Sequence, residues 1–337
     1  MRQTWLLQIA MAVLLAGIAS AQAGPALSGP TLGLVFDSSQ SALRPIRGIP
    51  GAASLGDPVN TGFRLASATV SPQQGYALAL RADDSSVVLV RAGAATSSTA
   101  VTGARHAPAL MVFSPAGTAA ALYDSGAGRV QILTGLPDAV AVQSDVDISA
   151  LAGPVAALAV DDAGSTLFLA AGAAETVALY RIAMDGTSQF LASFRSVAAL
   201  RLSVNGREAL LADSAAGAVY AIRDLRGAGR METIASGRDG LGIPIAVESD
   251  SAGRIFVADQ AGNVTILNRG RGPVVSLPCG CTPAGLFRLS GTATFRLTDP
   301  SDGPMWVLDA SGADARIVAV PPAAPPSATA AGNGGGQ

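Results

Sequence analysis

A repeat of apolar segments and turns runs along most of this 337-residue chain. In each copy an apolar run ends at Ser or Asp and is followed by a turn that contains Gly, as in 111–117 (MVFSPAG). A second run then ends, in most copies, at Asp. The residues that close this run, called the Asp marks below, are Asp37, Asp83, Asp124, Gly172, Asp213, Asp259 and Asp299. These marks lie 40–48 residues apart, which is the period of a four-stranded propeller blade.

The runs have the properties of short strands. They are about 4–7 residues long and are bounded by turn residues, which is typical of strands. Runs without polar residues, such as Ala-Leu-Ala-Leu at 77–80, suit strands that are buried on both faces. Sheets packed around an axis bury both faces of every sheet, and a closed ring leaves no end sheet exposed. We therefore predict an all-β propeller, with seven blades of about four antiparallel strands.

The N-terminal copy, around residues 34–46, has no clear first strand. Either the strand near 315–320 completes this blade, or the blade has only two or three strands. The alternative architecture is a six-bladed ring with an N-terminal hairpin as a cap.

Fragments of known repeat consensus sequences occur in the later copies, at Val257-Ala258-Asp259 and Asn263-Val264. On these fragments and the repeat, the chain resembles bacterial secreted β-propellers with YVTN-, NHL- or WD40-like repeats over residues 32–320. The resemblance implies a ring with a central channel and sites built from loops at its mouths. A shared fold implies no activity.

The composition limits the classes of partner. Hydrophobic residues make up 49% of the chain, charged residues make up 14%, and the net charge is −2. The 22 basic residues are all Arg, and they are scattered along the chain. We therefore expect no nucleic-acid partner, because nucleic-acid binding depends on a clustered basic surface.

The two ends of the chain differ from the repeats. Met1-Arg2, an apolar run over 5–18 and Ala21-Gln22-Ala23 form the pattern of a signal peptide at 1–23. We expect a periplasmic or extracellular protein, one propeller domain at 24–320, and no membrane span in the mature chain. The tail at 321–337 is rich in Pro, Ala and Gly, a composition that predicts disorder.

The two cysteines, Cys279 and Cys281, flank Gly280. In an oxidising compartment, a local disulfide across a tight turn is the leading interpretation. A redox-active pair, a metal site or two separate thiols are the alternatives.

Two further features could carry chemistry. The Asp marks could bind cations, but Asp also starts tight turns by accepting bonds from its own backbone, and a turn role explains its recurrence in successive blades. His106 is the single His of the chain, and it lies in a connector before a first strand. We therefore predict no catalytic, cofactor-binding or metal-binding residues and no cofactor.

These observations favour a non-enzymatic role, although the sequence leaves enzyme activity open. We expect an exported, monomeric binding scaffold for a protein, peptide or glycan. The alternative is a metal-dependent, lactonase-like propeller hydrolase with a cation in the channel.

Overall fold

The structure of the protein, a computed structural model, describes residues 29–93, 96–173, 175–269, 275–300 and 303–322. The predicted signal peptide at 1–23 lies outside the described residues, as does the predicted tail from residue 323 onward. The chain divides into two compact units, Met1–Pro30 and Thr31–Gln337. All the strands that the structure describes belong to the second unit.

The strands follow one another as seven antiparallel sheets. The first blade contains β1 (Thr31–Asp37), β2 (Ala42–Ile49) and β3 (Ala52–Leu55); the second contains β4 (Leu65–Val70), β5 (Tyr76–Arg81), β6 (Val87–Arg91) and β7 (Ser97–Ala100). The third contains β8 (Leu110–Phe113), β9 (Ala120–Asp124), β10 (Arg129–Thr134) and β11 (Ala141–Asp147); the fourth contains β12 (Val155–Val160), β13 (Thr166–Ala173), β14 (Thr176–Ala183) and β15 (Ser188–Phe194).

The last three blades repeat this order. The fifth contains β16 (Ala199–Leu202), β17 (Ala209–Asp213), β18 (Ala218–Arg223) and β19 (Arg230–Ser236); the sixth contains β20 (Pro244–Ser249), β21 (Ile255–Asp259), β22 (Asn263–Leu267) and β23 (Val275–Pro278). The seventh contains β24 (Phe287–Arg288), β25 (Thr294–Arg296), β26 (Met305–Asp309) and β27 (Arg316–Val320). Within the described residues the helical structure is one short 3₁₀ helix, Gly237–Asp239, and no helix there has the length and apolarity to cross a membrane.

The seven-bladed propeller that the sequence predicts is confirmed, so the six-bladed alternative is wrong. The first blade has three strands, and the other six have four. The strand β27 pairs with β26 in the seventh blade, so the C-terminal strand does not complete the first blade. The choice that the sequence left open is thereby resolved in favour of a three-stranded first blade.

Apolar residues between the blades form the core. Seven clusters of buried side chains lie in the structure, and each draws its members from two consecutive blades. One cluster joins the seventh blade to the first through side chains that include Val35, Ile46, Met305 and Val307. Because this cluster connects the two ends of the series, the ring is closed by side-chain packing between blades.

The Asp marks lie at or just beyond the ends of strands, as the repeat predicts. The side chain of Asp124 accepts bonds from the backbone N–H groups of Gly126 and Ala127, both at 3.0 Å. Asp37 makes the same kind of turn with Ser39. Asp83 instead pairs with Arg81. Asp299 pairs with Arg296 in the same way. The turn interpretation therefore explains part of the series, and two other members form ion pairs.

A buried glutamine connects the two ends of the ring. Gln74 is 8% exposed, and its side-chain oxygen accepts a 2.8 Å hydrogen bond from the backbone N–H of Leu34 in β1. Its side-chain nitrogen donates to the backbone oxygens of Ser71 and Arg288. The backbone oxygen of Leu32 accepts a bond from the N–H of Ser290. These contacts satisfy backbone groups of β1 that a preceding strand would otherwise pair.

The backbone of Gln74 has a conformation that is unusual for its residue type. Its φ angle is 62°, and its N–H bonds to Ser71, just as Gly117 bonds to Ser114 in the next blade. Gln74 thus takes the turn position that a glycine takes in the next blade, and Gly75 follows it. A non-glycine residue in the left-handed region costs about 1–2 kcal/mol. We infer that the hydrogen bonds of the Gln74 side chain offset this cost.

Replacing Gln74 by Glu should therefore destabilise the ring. The carboxylate would keep an acceptor for Leu34 but would place a buried negative charge against the carbonyl oxygens of Ser71 and Arg288. We expect a loss of about 3 kcal/mol in the free energy of unfolding, measured by urea denaturation. The matched control is Gln73→Glu, because Gln73 also donates to a backbone oxygen but is exposed. Equal losses in the two variants would contradict this role of Gln74.

Candidate functional site

The central channel of the propeller contains a cavity of about 460 Å³. The wall is formed mainly by one strand of each blade, namely β1, β4, β8, β12, β16, β20 and β24, and β25 of the seventh blade adds Arg296. In the last six blades this is the first strand of the sheet. In the first blade, β1 aligns with the second strands of the other blades, but it faces the channel because no strand precedes it in the sheet.

One part of the channel wall is apolar. The second, third and fourth blades contribute mostly apolar residues to it. Val70, Met111 and Phe113 are partly exposed, whereas Leu158 and Val160 of the fourth blade are buried in the core between blades. An apolar wall of this kind binds the apolar part of a ligand, because contact between the two removes apolar surface from water, which is favourable in free energy.

Charged side chains line the part of the wall formed by the fifth, sixth and seventh blades. Arg201 on β16 donates from Nε to an oxygen of Glu248 on β20 at 3.1 Å. Nη2 of Arg288 on β24 lies 3.4 Å from the other oxygen of Glu248 and also donates to the backbone oxygen of Ser249. Glu248 therefore links three consecutive blades at the channel surface.

Arg296, near the end of β25, is the most enclosed of the charged groups in the channel. Its side chain is 10% exposed, and its guanidinium carbon lies 4.0 Å from the centre of the Phe287 ring. Nη1 donates to the backbone oxygen of Thr298 at 3.0 Å and to the carboxylate of Asp299. The side chain of Asp299 is 61% exposed, so this partner is mostly hydrated.

Burial lowers the pKa of Arg296, and the carboxylate of Asp299 opposes that shift. An arginine guanidinium nevertheless keeps its charge throughout the ordinary pH range. The channel wall carries Arg201, Arg288 and Arg296 against Glu248 and Asp299, which gives these five groups a net charge of +1. The cavity thus combines an apolar wall with a positively charged one.

The residues singled out in the sequence lie mostly outside this channel. His106 is exposed, and its Nδ1 lies 3.0 Å from the backbone oxygen of Asp84. Of the Asp marks, Asp299 lines the cavity. Within the described part of the chain, no group of three or more His, Cys, Asp or Glu side chains is arranged to hold a metal ion.

The channel arginines were missed in the sequence, where the arginines were judged to be scattered. A signal was nevertheless present. Arg201 and Glu248 each lie two residues before the residue that starts the first turn of their blade, Ser203 or Asp250. The equivalent residues of the third and fourth blades are Val112 and Ala159. A change from apolar to charged residues at one repeat position therefore marks the charged wall.

Comparisons with known proteins identify the fold alone. No protein-family model matches the chain, and no curated protein matches it. A functionally unknown protein from Desulfotomaculum acetoxidans is similar in structure, with a TM-score of 0.59, 12% identity, and coverage of 87% of this chain and 100% of the other.

Two structures of known proteins are also similar. Virginiamycin B lyase from Staphylococcus aureus has a TM-score of 0.53 and 9% identity, over 75% of this chain and 83% of the other. A chain of a nidogen/laminin complex has a TM-score of 0.50 and 12% identity, over 74% of this chain and 93% of the other. At these identities the similarity is one of architecture.

The predicted pairing of Cys279 and Cys281 can be tested directly. Their Cα atoms lie 5.0 Å apart, a separation that a disulfide allows. We expect no thiol to react when the purified protein is unfolded and titrated with a thiol reagent, and two thiols to react after reduction. Reactive thiols before reduction would contradict the pairing.

Replacing Glu248 by Gln should weaken the contacts among the last three blades. The amide would no longer neutralise Arg201 and Arg288, and its NH₂ group would face one of them. We expect a loss of about 1–3 kcal/mol in the free energy of unfolding, measured by urea denaturation. The control is Glu232→Gln, because Glu232 forms a half-exposed pair with Arg223 that should contribute less than about 1 kcal/mol. A loss for Glu248→Gln no larger than the control's would argue against the bridge.

Proposed function

We propose that this chain is an exported, monomeric binding protein that holds a segment of a peptide or protein ligand in its central channel. The observation that carries the proposal is the two-sided character of the cavity, with an apolar wall on the second to fourth blades and charged residues on the fifth to seventh, among which arginines outnumber carboxylates. Its volume of about 460 Å³ lies within the range of about 300–1,000 Å³ that is usual for ligand sites. Export is supported by the signal-peptide pattern at 1–23.

A peptide fits this wall better than a glycan does. The hydroxyl groups of a sugar need hydrogen-bond partners when they are buried, and side chains such as Val70, Met111 and Phe113 supply none. A peptide can instead place apolar side chains against this wall and direct a polar or charged group toward the arginines.

The similar structures are compatible with more than one role. One is a chain of a complex between two proteins, and another is a lyase, so the fold does not choose between binding and catalysis. The channel favours binding, because its two carboxylates, Glu248 and Asp299, are each engaged by arginine. Carboxylates held in this way are poorly placed to act as ligands for the cation of a lactonase-like hydrolase.

Filling the channel should abolish ligand binding. We would immobilise the mature protein, apply a synthetic mixture of random N-acetylated hexapeptides, half of them C-terminal acids and half amides, and quantify the retained peptides by mass spectrometry. Ala68 lines the cavity, so Ala68→Trp should reduce retention by at least about tenfold, which corresponds to about 1.4 kcal/mol.

The matched control is Ala66→Trp, on the same strand, because Ala66 is exposed and is not part of the cavity wall. This variant should retain peptides as the wild type does. Equal retention by all three proteins would place binding outside the channel, and no retention by the wild type would overturn the proposal.

A further inference from the structure

We propose that the channel recognises the C-terminal carboxylate of a peptide chain, and that the Nε–Nη2 edge of Arg296 is the group that binds it. This inference rests on the proposed function and specifies the part of the ligand that is recognised. It follows from how Arg296 is held and from what surrounds it.

The guanidinium of Arg296 is positioned before any ligand arrives. The ring of Phe287 packs against its face at 4.0 Å, and Nη1 is engaged by Thr298 and Asp299. Among the described residues, Nε and Nη2 have no hydrogen-bond partner, although the side chain is nine-tenths buried and lines the cavity. Neither nitrogen is among the fully buried side-chain atoms that lack a partner, so this edge of the charged group is accessible and is suited to an anionic ligand.

The free edge matches a carboxylate in shape. A guanidinium can donate two parallel hydrogen bonds to the two oxygens of a carboxylate, and such paired bonds are stronger and more specific than single ones. The stacking on Phe287 fixes the plane of the guanidinium, and therefore the plane of the bound carboxylate. Arg288 lines the same cavity and is 17% exposed. It shares the carboxylate of Glu248 with Arg201, so these three groups together add one positive charge to the cavity wall.

The remainder of the cavity selects the source of the carboxylate. A peptide terminus carries the side chain of its last residue next to the carboxylate, and the apolar wall on the second to fourth blades is available for that side chain. A sugar acid would place hydroxyl groups against the same wall. We therefore expect the ligand to end in an apolar residue.

A substitution of Asp299 provides a second test, in which binding of acids should become stronger and not weaker. Its carboxylate is bound to Nη1 of Arg296 and is 61% exposed, so it reduces the positive charge available to a ligand without filling the free edge. Removing this negative charge by Asp299→Asn should strengthen the binding of acids. Loss of a merely structural contact would not have that effect.

The experiment uses the immobilised mature protein and the same mixture of hexapeptide acids and amides. The wild type should retain acids over amides by at least about tenfold, with apolar last residues enriched. Arg296→Gln should abolish the preference, and Asp299→Asn should increase the retention of acids several-fold. Arg316→Gln is the matched control, because Arg316 lies in the same blade and pairs with Asp309 but is 61% exposed.

The outcomes separate this inference from the proposed function. Equal retention of acids and amides, still abolished by Ala68→Trp, would overturn the carboxylate site and leave channel binding in place. No retention of any peptide would overturn both. Selective retention of glucuronate by the wild type, lost in Arg296→Gln, would replace the peptide terminus by a sugar acid. If Arg296→Gln fails to fold, as judged by thermal unfolding, an unchanged acid preference in Asp299→Asn would overturn the inference.

Discussion

The burial of apolar surface between blades is the interaction on which the rest of this structure depends. A single four-stranded sheet has two faces and cannot cover both by itself. Here each blade shares one apolar cluster with the blade before it and another with the blade after it. Small side chains make this packing possible, as at Ala77 and Ala79, which are fully buried between the first and second blades. The cluster between the seventh and first blades then removes the last exposed faces from water.

Ring closure needs more than apolar packing in this protein, because the first blade is one strand short. The backbone of β1 faces the channel, and a buried backbone group without a partner is destabilising. The side chain of Gln74 and the backbone of Ser290 supply partners for Leu34 and Leu32. The Gln74 side chain thus supplies one of the hydrogen-bond partners that a C-terminal strand would supply if it were added to the first blade.

The sequence predicted the architecture well because the information on it is local. Strand length, turn residues and the spacing of the Asp marks are all read within one repeat, and together they gave seven blades. The three-stranded first blade stayed open, because the sequence does not show which neighbour pairs with a terminal strand. The bonds of Gln74 were not predictable, since they join residues 40 and 214 positions apart.

The charged wall was missed for a related reason. Arg201, Glu248 and Arg288 are separated by 40 or more residues, so a count of charges along the chain gives no cluster. They become neighbours because the first strands of consecutive blades lie side by side around the axis. Only a comparison of the same repeat position in successive blades would have indicated the charged wall. The contact of Arg296 with Phe287 depends in addition on the register of β24 and β25.

Arg288 belongs to both the ring closure and the channel. Its backbone oxygen accepts the bond from Gln74, while its side chain holds Glu248 in the channel wall. A ligand that occupies the channel and contacts Arg288 would therefore also stabilise the contact between the first and seventh blades. By thermodynamic linkage, a bound ligand would then make separation of the first and seventh blades less frequent. Conversely, a mutation that weakens the contact between these blades would lower ligand affinity even if it removed no contact to the ligand.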